Sequence, residues 1–304
     1  MQAIRIHGRD TGPALEDAPY PHASENDVVV RVHAAAFTRG ELEWPGTWSD
    51  RAGRDRTPVI PGHEVSGVVA ELGLGTTGLS VGQRVFGLTD WTRDGTLAEY
   101  VAVEARNLAP LPASIDHVRG AALPLAGLTA WQGLFDHGRV ESGHTVLIHG
   151  AAGAVGSLAV QLARDAGARV IGTGRAADRD TAVELGADEF VDLDTERLED
   201  VGPVHVVFDV IGGEVLERSA SLVRPGGSLV TIAAPPAVRP VDGRAVFFIV
   251  EPDRARLVDL ARRVHDGRLR PPVGAVHSLA ATVAAFTSGQ ARGKTVTRII
   301  DDRG

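Results

Sequence analysis

The segment His149-Gly150-Ala151-Ala152-Gly153-Ala154-Val155-Gly156 carries the strongest chemical signal in the chain. It follows an apolar run at 145–148 and precedes a stretch in which Val155, Leu158, Ala159 and Leu162 share one helical face. A glycine-rich turn between a strand and a helix presents backbone N–H groups and the positive end of the helix dipole to a phosphate. Gly153 lets a pyrophosphate approach the backbone, Gly156 lets the helix pack close to the sheet, and Ala151 stands where the usual pattern has its first glycine. Ala152, Gly153, Ala154, Val155 and Gly156 are therefore the expected dinucleotide contacts. The bland alternative is a glycine turn in an α/β domain that binds nothing.

The next strand ends in Thr173-Gly174-Arg175. Chains that bind NAD place an acid there, about twenty residues after the turn, to bond the ribose 2′-hydroxyl. A carboxylate would repel a 2′-phosphate, whereas a guanidinium pairs with one. Thr173, Gly174, Arg175 and, a turn later, Arg179 thus point to NADPH. Arg179 by itself reads equally as a solvated surface residue.

From about residue 114 apolar strands alternate with amphipathic segments. Strands are expected at 145–148, 169–173, 189–192, 205–209, 228–232 and 246–250, which argues for an α/β fold with a parallel, doubly wound sheet of six strands. Upstream, Val28, Val30 and Val32 alternate with Val29, Arg31 and His33 as in a half-buried strand, and 67–73 and 85–86 read as further strands of a β-rich module. Between Phe37 and Ile60 the pattern fails in a charged loop holding Trp44 and Trp48, and a loop of that length is usually functional or mobile. The tail adds a helix over 253–266 and a strand at 295–300.

A length of 304 residues suggests two domains, and 43% hydrophobic residues suffice for a sizeable core. The net charge of −8 argues against a general nucleic-acid surface. Cysteine is absent, which removes disulfides, thiolate nucleophiles and Cys-ligated zinc. No apolar stretch suits a signal peptide or membrane span, so a cytoplasmic location is expected. Basic residues are almost all arginine, with Lys294 the only lysine, and this reads as a coding bias.

Over essentially its full length the chain resembles the medium-chain dehydrogenase/reductase superfamily. The motifs are Pro61-Gly62-His63-Glu64-Val65-Ser66-Gly67-Val68-Val69, Val81-Gly82-Gln83-Arg84-Val85-Phe86-Gly87, Gly95-Thr96-Leu97-Ala98-Glu99-Tyr100-Val101 and Ala121-Ala122-Leu123-Pro124. The glycine turn, Leu185-Gly186-Ala187-Asp188 and Phe208-Asp209-Val210-Ile211-Gly212-Gly213 are similar to its quinone oxidoreductase (zeta-crystallin-like) branch. The resemblance implies a GroES-like β-rich catalytic domain over 1–115, completed by 268–304, and a Rossmann NADPH-binding domain over 116–267. It further implies that Thr129 lies by the nicotinamide ribose and that Val210, Ile211 and Gly212 line the adenosine ribose. Ile232 and Ala233 would lie under the nicotinamide, and the segment from Phe248 to Val250 would close over it.

Zinc-dependent members hold their catalytic metal through positions that here read Thr38, His63 and Leu125. One imidazole cannot hold a catalytic zinc, which takes about three protein ligands, so no metal is expected. His63 then reads as a structural residue or a proton donor. Thr38 and Glu41 stand where quinone-type relatives often carry Asn and Asp.

Without a metal Lewis acid, alcohol oxidation is hard, whereas hydride transfer to a quinone or an α,β-unsaturated carbonyl needs only positioning and a donor to the developing oxyanion. Thr38 and Thr129, with His63, are the candidate donors; Phe37, Glu41, Trp44, Trp48, Trp91 and Phe248 are the candidate substrate contacts. For each tryptophan the alternative is plain packing. Two other readings stand beside this one: an enoyl-thioester reductase of lipid or polyketide metabolism, and a cofactor-binding protein with a structural or RNA-binding role. The apolar 246–250 strand at the sheet edge suggests a homodimer.

Overall fold

In the computed structural model, which describes residues 1–286 and 292–300, the chain forms two units. The first joins Met1–Leu125 to Pro252–Asp266 and Pro271–Gly304; the second comprises Ala126–Glu251 and Gly267–Arg270.

The first unit contains β1 (Gln2–Arg5), β2 (Ala14–Asp17), β3 (Asp27–Phe37), β4 (Glu64–Leu72), β5 (Arg84–Leu88), β6 (Tyr100–Glu104) and β7 (Leu108–Pro110). β1 and β2 form a separate antiparallel ribbon. β3 is the hub, pairing antiparallel with both β4 and β6. Its valines and alanines are buried on both faces, with Arg31 the exposed exception. The half-buried pattern expected for this strand is thus corrected. A central strand flanked on both sides has no solvent face for its small apolar residues to alternate with. Val28, Val30, Val32, Val65, Val85 and Leu97 join one core cluster there.

The segment between Phe37 and Ile60 is not a bare loop. It holds a short 3-10 helix, Arg39–Glu43, and a single helical turn, Pro45–Trp48. The proline at the start of that turn fits, because a first-turn N–H has no intrahelical partner to lose.

The second unit is a parallel sheet of β8 (Thr145–His149), β9 (Arg169–Gly174), β10 (Glu189–Asp192), β11 (Val204–Asp209), β12 (Val223–Thr231) and β13 (Arg244–Phe247), in the order β10-β9-β8-β11-β12-β13. β9 lies on one side of β8 and β11 on the other, so the sheet reverses its winding there. Such a switch opens a crevice at the carboxyl ends of the two strands, the position favoured for ligands in open α/β sheets. The last strand ends at Phe247, so 248–250 lie past its end rather than within it as expected.

The chain then returns to the first unit, where β14 (Val273–Ser278) runs parallel to β15 (Lys294–Arg298), and β15 pairs antiparallel with β3. The helix Arg254–His265 also belongs to this unit, not to the second as expected. Leu257, Leu260 and Ala261 form its buried face, Arg254 Nη2 donates to the Gly78 carbonyl at 2.8 Å, and Ser114 Oγ bonds His265 Nδ1 at 2.7 Å. The divisions expected after 115 and 267 therefore differ from those of the two units.

Candidate active site

Two groups of candidate residues stand out, one in each unit. In the first unit, β3 ends at Phe37 and delivers Thr38 as the residue preceding the 3-10 helix. Glu41, on that helix, turns its carboxylate back into the protein. It accepts from the Thr38 N–H at 3.2 Å and from the Gly62 N–H at 2.6 Å. Glu41 thereby ties the end of β3 to the turn that presents His63. Gly62 is needed at that turn, because its φ is +91° and an added Cβ would stand 2.6 Å from Thr96 Oγ1. Burial pushes the Glu41 carboxyl up to about 7, against the pull of the two backbone donors.

His63 is buried, with Nδ1 bonded to Thr89 Oγ1 at 3.2 Å. Its Nε2 is buried without a partner among the described residues. Trp44 stacks on the ring at 5.8 Å and Trp91 meets it edge-on at 4.8 Å. Burial, with Arg56 adding to it, holds the imidazole pKa down at about 3, so His63 is neutral near pH 7 and is no imidazolium acid.

Glu64, the next residue, is fully buried. Its Oε1 accepts from the Leu125 N–H at 3.0 Å, and its Oε2 forms an ion pair with Lys294. Lys294 Nζ also donates to Thr38 Oγ1 at 3.0 Å. His63 thus stands against two tryptophans, and Glu41 links the turn that carries it to the backbone of Thr38.

Three expectations are corrected here. Phe37 lies in the core, stacked on Phe286 at 4.3 Å. Trp48 is buried against Ile6 and Val59, with its indole N–H donating to the Leu42 carbonyl at 2.7 Å. Both pack the domain. Glu41 is likewise a backbone anchor; its carboxylate points into the protein.

In the second unit the glycine turn caps β8 and opens the helix Ala154–Asp165. Ala151 N–H donates to the Thr173 carbonyl at 2.9 Å, and Gly150 takes a φ of +67°. The missing first glycine is compensated from the neighbouring strand. The Ala151 methyl is buried, and a Cβ on Gly172 of β9 would stand only 2.8 Å from it. Gly153 precedes the helix, is exposed, and has no side-chain cap, so the first-turn amides of Ala154, Val155 and Gly156 are available to an anion. A Cβ on Gly156 would meet the Gly150 carbonyl at 2.1 Å, so only glycine lets the helix seat against the turn. Ala152 is buried in the turn itself.

Thr173, expected among the cofactor contacts, is turned into the protein. It is fully buried, and its hydroxyl bonds His149 Nδ1 at 2.8 Å. His149 Nε2 lies 2.7 Å from Ser219 Oγ, whose own proton goes to the Val215 carbonyl at 2.6 Å. The imidazole therefore carries its proton on Nε2 and accepts from Thr173, and burial keeps its pKa near 4. This neutral bridge fastens β8, β9 and the helix Gly213–Ser219 just beneath the turn.

Gly174 is buried at the end of β9, and Arg175 follows it exposed, with its N–H held by Asp178 Oδ2 at 3.1 Å. Arg179 is engaged elsewhere: it donates to the Phe190 carbonyl at 2.8 Å, pairs with Glu196 at 2.9 Å and lies over the Phe190 ring. Its guanidinium is thus engaged away from the cofactor contact expected of it. Across the switch, Asp209 at the end of β11 accepts from the Ile211 and Gly212 N–H groups and from Thr231 Oγ1 at 2.8 Å. That carboxylate shapes the Val210–Ile211–Gly212 loop, where Ile211 is exposed and Val210 flanks Gly150. Ile232 and Ala233 follow β12, half-buried and exposed respectively. Thr129 is buried on the helix Pro124–Trp131. Phe248 packs on His137 at 4.5 Å and Val250 is also buried, which leaves Ile249, 69% exposed, as the side chain of this segment with free surface. The expectation that Phe248 and Val250 offer a covering surface is thereby corrected.

Sequence reasoning missed Lys294, Thr89, Asp209 and Asp178. One signal was present: a single lysine among 31 basic residues is a choice that arginine did not replace.

The residues do not suit a catalytic zinc. Of the three ligand positions, Leu125 has no donor side chain and Thr38 is bonded by an ammonium that would repel a dication. Among the described residues no group of three or more His, Asp or Glu side chains could hold a metal. A nicotinamide dinucleotide does fit: the exposed first-turn amides, the close turn packing that an added Cβ would block, and the crevice at the strand switch are its usual requirements.

Residues 24–113 match the alcohol dehydrogenase GroES-like domain, and residues 154–250 match the zinc-binding dehydrogenase domain. A 2-methylene-furan-3-one reductase from Solanum lycopersicum is 32% identical over 295 residues, covering 91% of this chain and 72% of that protein. The spectinabilin polyketide synthase system protein NorB from Streptomyces orinoci is 41% identical over 175 residues, which is 56% of this chain but 8% of that much longer protein. The solved structure of the quinone oxidoreductase from Coxiella burnetii superposes with a TM-score of 0.90 at 27% identity, covering 99% of each chain. Both domains and these relatives agree with the motifs in the sequence, and the chain belongs to the medium-chain dehydrogenase/reductase superfamily, in its quinone oxidoreductase branch.

Proposed function

We propose that this oxidoreductase uses NADPH to reduce a quinone or an α,β-unsaturated carbonyl, without a metal. The observation that carries the reading is the aromatic enclosure of His63 by Trp44 and Trp91, in a unit whose zinc-ligand positions read Thr38, His63 and Leu125. Lacking a Lewis acid, such a site is poor at deprotonating an alcohol, but aromatic walls suit a flat, electron-poor acceptor. When bound at the glycine turn, NADPH supplies the hydride.

The chain's own residues do the rest. The first-turn amides of Ala154, Val155 and Gly156 hold the pyrophosphate, and the Arg175 guanidinium, exposed and beyond the end of β9, holds the 2′-phosphate. Thr38 donates its hydroxyl proton as a hydrogen bond to the oxygen on which charge develops. Thr129 lies by the nicotinamide ribose. His63 is neutral and its Nε2 is buried, so it braces the two tryptophans rather than touching the acceptor. The final proton comes from water.

The match to a polyketide synthase supports a second reading, an enoyl-thioester reductase, which differs only in the acceptor. Steady-state NADPH oxidation against a panel of quinones, simple enones and enoyl thioesters separates the two. Turnover of quinones or enones with thioesters inert supports the first, and the converse supports the second. Tight NADPH binding with no turnover of any member would move the assignment to a cofactor-binding protein without this activity. We also propose a cytoplasmic homodimer paired along β13, an edge strand whose Phe247 is exposed, with exposed Ile249 two residues on. A monomer in sedimentation equilibrium at micromolar concentration would remove that part.

A further inference from the structure

We propose that Lys294, the chain's only lysine, is a positioning residue that fixes the Thr38 hydroxyl as a hydrogen-bond donor to the substrate oxygen and places a buried positive charge behind it. The inference rests on the reading of Thr38 given above and adds what makes that hydroxyl effective.

Every other polar group of Thr38 is committed. Its N–H goes to Glu41 Oε2 at 3.2 Å, and its carbonyl accepts from the Glu41 N–H at 2.9 Å. The backbone is therefore held and only the hydroxyl can turn. Lys294 Nζ donates to Oγ1 at 3.0 Å, and an ammonium has no acceptor to offer in return. The threonine proton must then point away from Lys294. Among the described residues nothing accepts it, and Thr38 is partly exposed. A donor is left uncommitted on a partly exposed residue.

The ammonium is in turn held in place. Its side chain is 5% exposed and paired with Glu64, 1% exposed, whose other oxygen is fixed by the Leu125 N–H. Stability alone gives little reason for this arrangement, since a buried ion pair is about neutral against well-packed apolar residues of the same volume. A fixed charge behind a donor does have a use: in a poorly solvated site it strengthens a bond to an oxygen that becomes negative only as hydride arrives. Glu64 limits the effect by neutralising the pair overall, so the larger part of the role is orientation.

The test is a double-mutant cycle in the full chain loaded with NADPH. Lys294→Met alone would strand a buried carboxylate, so the charge-neutral pair Lys294→Met with Glu64→Gln is used, both alone and with Thr38→Val. If Lys294 acts through Thr38, the pair lowers kcat about tenfold or more with little change in KM when Thr38 is present. In the Thr38→Val background the same pair changes kcat by less than about twofold. Lys294→Arg by itself, which keeps a cation beside Glu64 and an N–H donor toward Thr38, recovers most of the kcat that the pair loses. NADPH affinity from fluorescence titration and the melting temperature report whether each variant is folded and loaded. Equal losses of kcat in both Thr38 backgrounds overturn the proposal. Should the pair not fold, Lys294→Arg with and without Thr38→Val decides, because an effect on kcat that persists in the Thr38→Val background overturns the proposal. A parent enzyme that turns over no enone or quinone would instead defeat the functional reading on which this rests.

Discussion

Gly156 offers the sharpest test of how the nucleotide turn is built. A methyl added there would lie 2.1 Å from the Gly150 carbonyl oxygen, 2.7 Å from its carbon and 3.0 Å from the Ala151 Cα. Ordinary contact begins at 3.4 Å, so the nearest pair is about 1.3 Å too close, and all three atoms are backbone that cannot rotate aside. Helix propensity favours alanine by at most about 1 kcal/mol, whereas overpacking of this kind costs about 1–3 kcal/mol. The clash wins. Gly156→Ala is expected to lose about 1–2 kcal/mol, a fall of several degrees in melting temperature, and to weaken NADPH binding by displacing the first-turn amides. Gly153→Ala is the matched control. Its φ is −75° and the nearest atom to an added Cβ is 3.2 Å away, so stability should stay within about 0.5 kcal/mol. The new methyl would still stand on the exposed face proposed to meet the pyrophosphate, so NADPH affinity should fall about tenfold. Thermal melts and fluorescence titrations of both variants read this directly. A Gly156→Ala protein as stable as the parent, or a Gly153→Ala protein destabilised as much, would refute the reasoning.

Three further outcomes are expected. Arg175→Ala should raise the KM for NADPH by about tenfold or more and leave that for NADH nearly unchanged, while Asp178→Asn, which removes a carboxylate beside Gly174, should favour NADPH further; equal effects on both cofactors would remove the 2′-phosphate assignment. Glu41, with its carboxyl raised to about 7 in the fold, keeps its proton where the unfolded chain has lost it, so its ionisation should erode stability as pH rises from about 4.5 to above 7, by an amount on the order of 3 kcal/mol. The melting-temperature advantage of the parent over Glu41→Gln should therefore shrink between pH 5 and pH 8, and an advantage that grows would contradict the sign. Metal analysis should find no stoichiometric zinc, and chelator treatment that abolished activity would overturn the metal-free assignment.

The sequence by itself determined the family, the two-part organisation and the nucleotide turn, because each rests on local chemistry. Alternation of strand and helix, glycine spacing, and an arginine where an acid would stand need no knowledge of distant contacts. It also placed Thr38, His63, Trp44 and Trp91 in the region where the structure brings His63 into contact with both tryptophans. Tertiary structure decided which side chains are free to act. Phe37 and Trp48 look like substrate contacts from composition, yet they pack inward, since burial depends on neighbours far along the chain. Thr173 turns to His149, Arg179 turns to Glu196, and Glu41 anchors backbone. The alanine in the turn is tolerated because Gly172, on the adjacent strand, makes room for it, a compensation across a sheet that no linear pattern reveals. Lys294, 256 residues from Thr38 in sequence, reaches its hydroxyl only because β15 pairs with β3. Hydrogen-bond partnership between distant segments is set by strand register, and register is a property of the folded sheet.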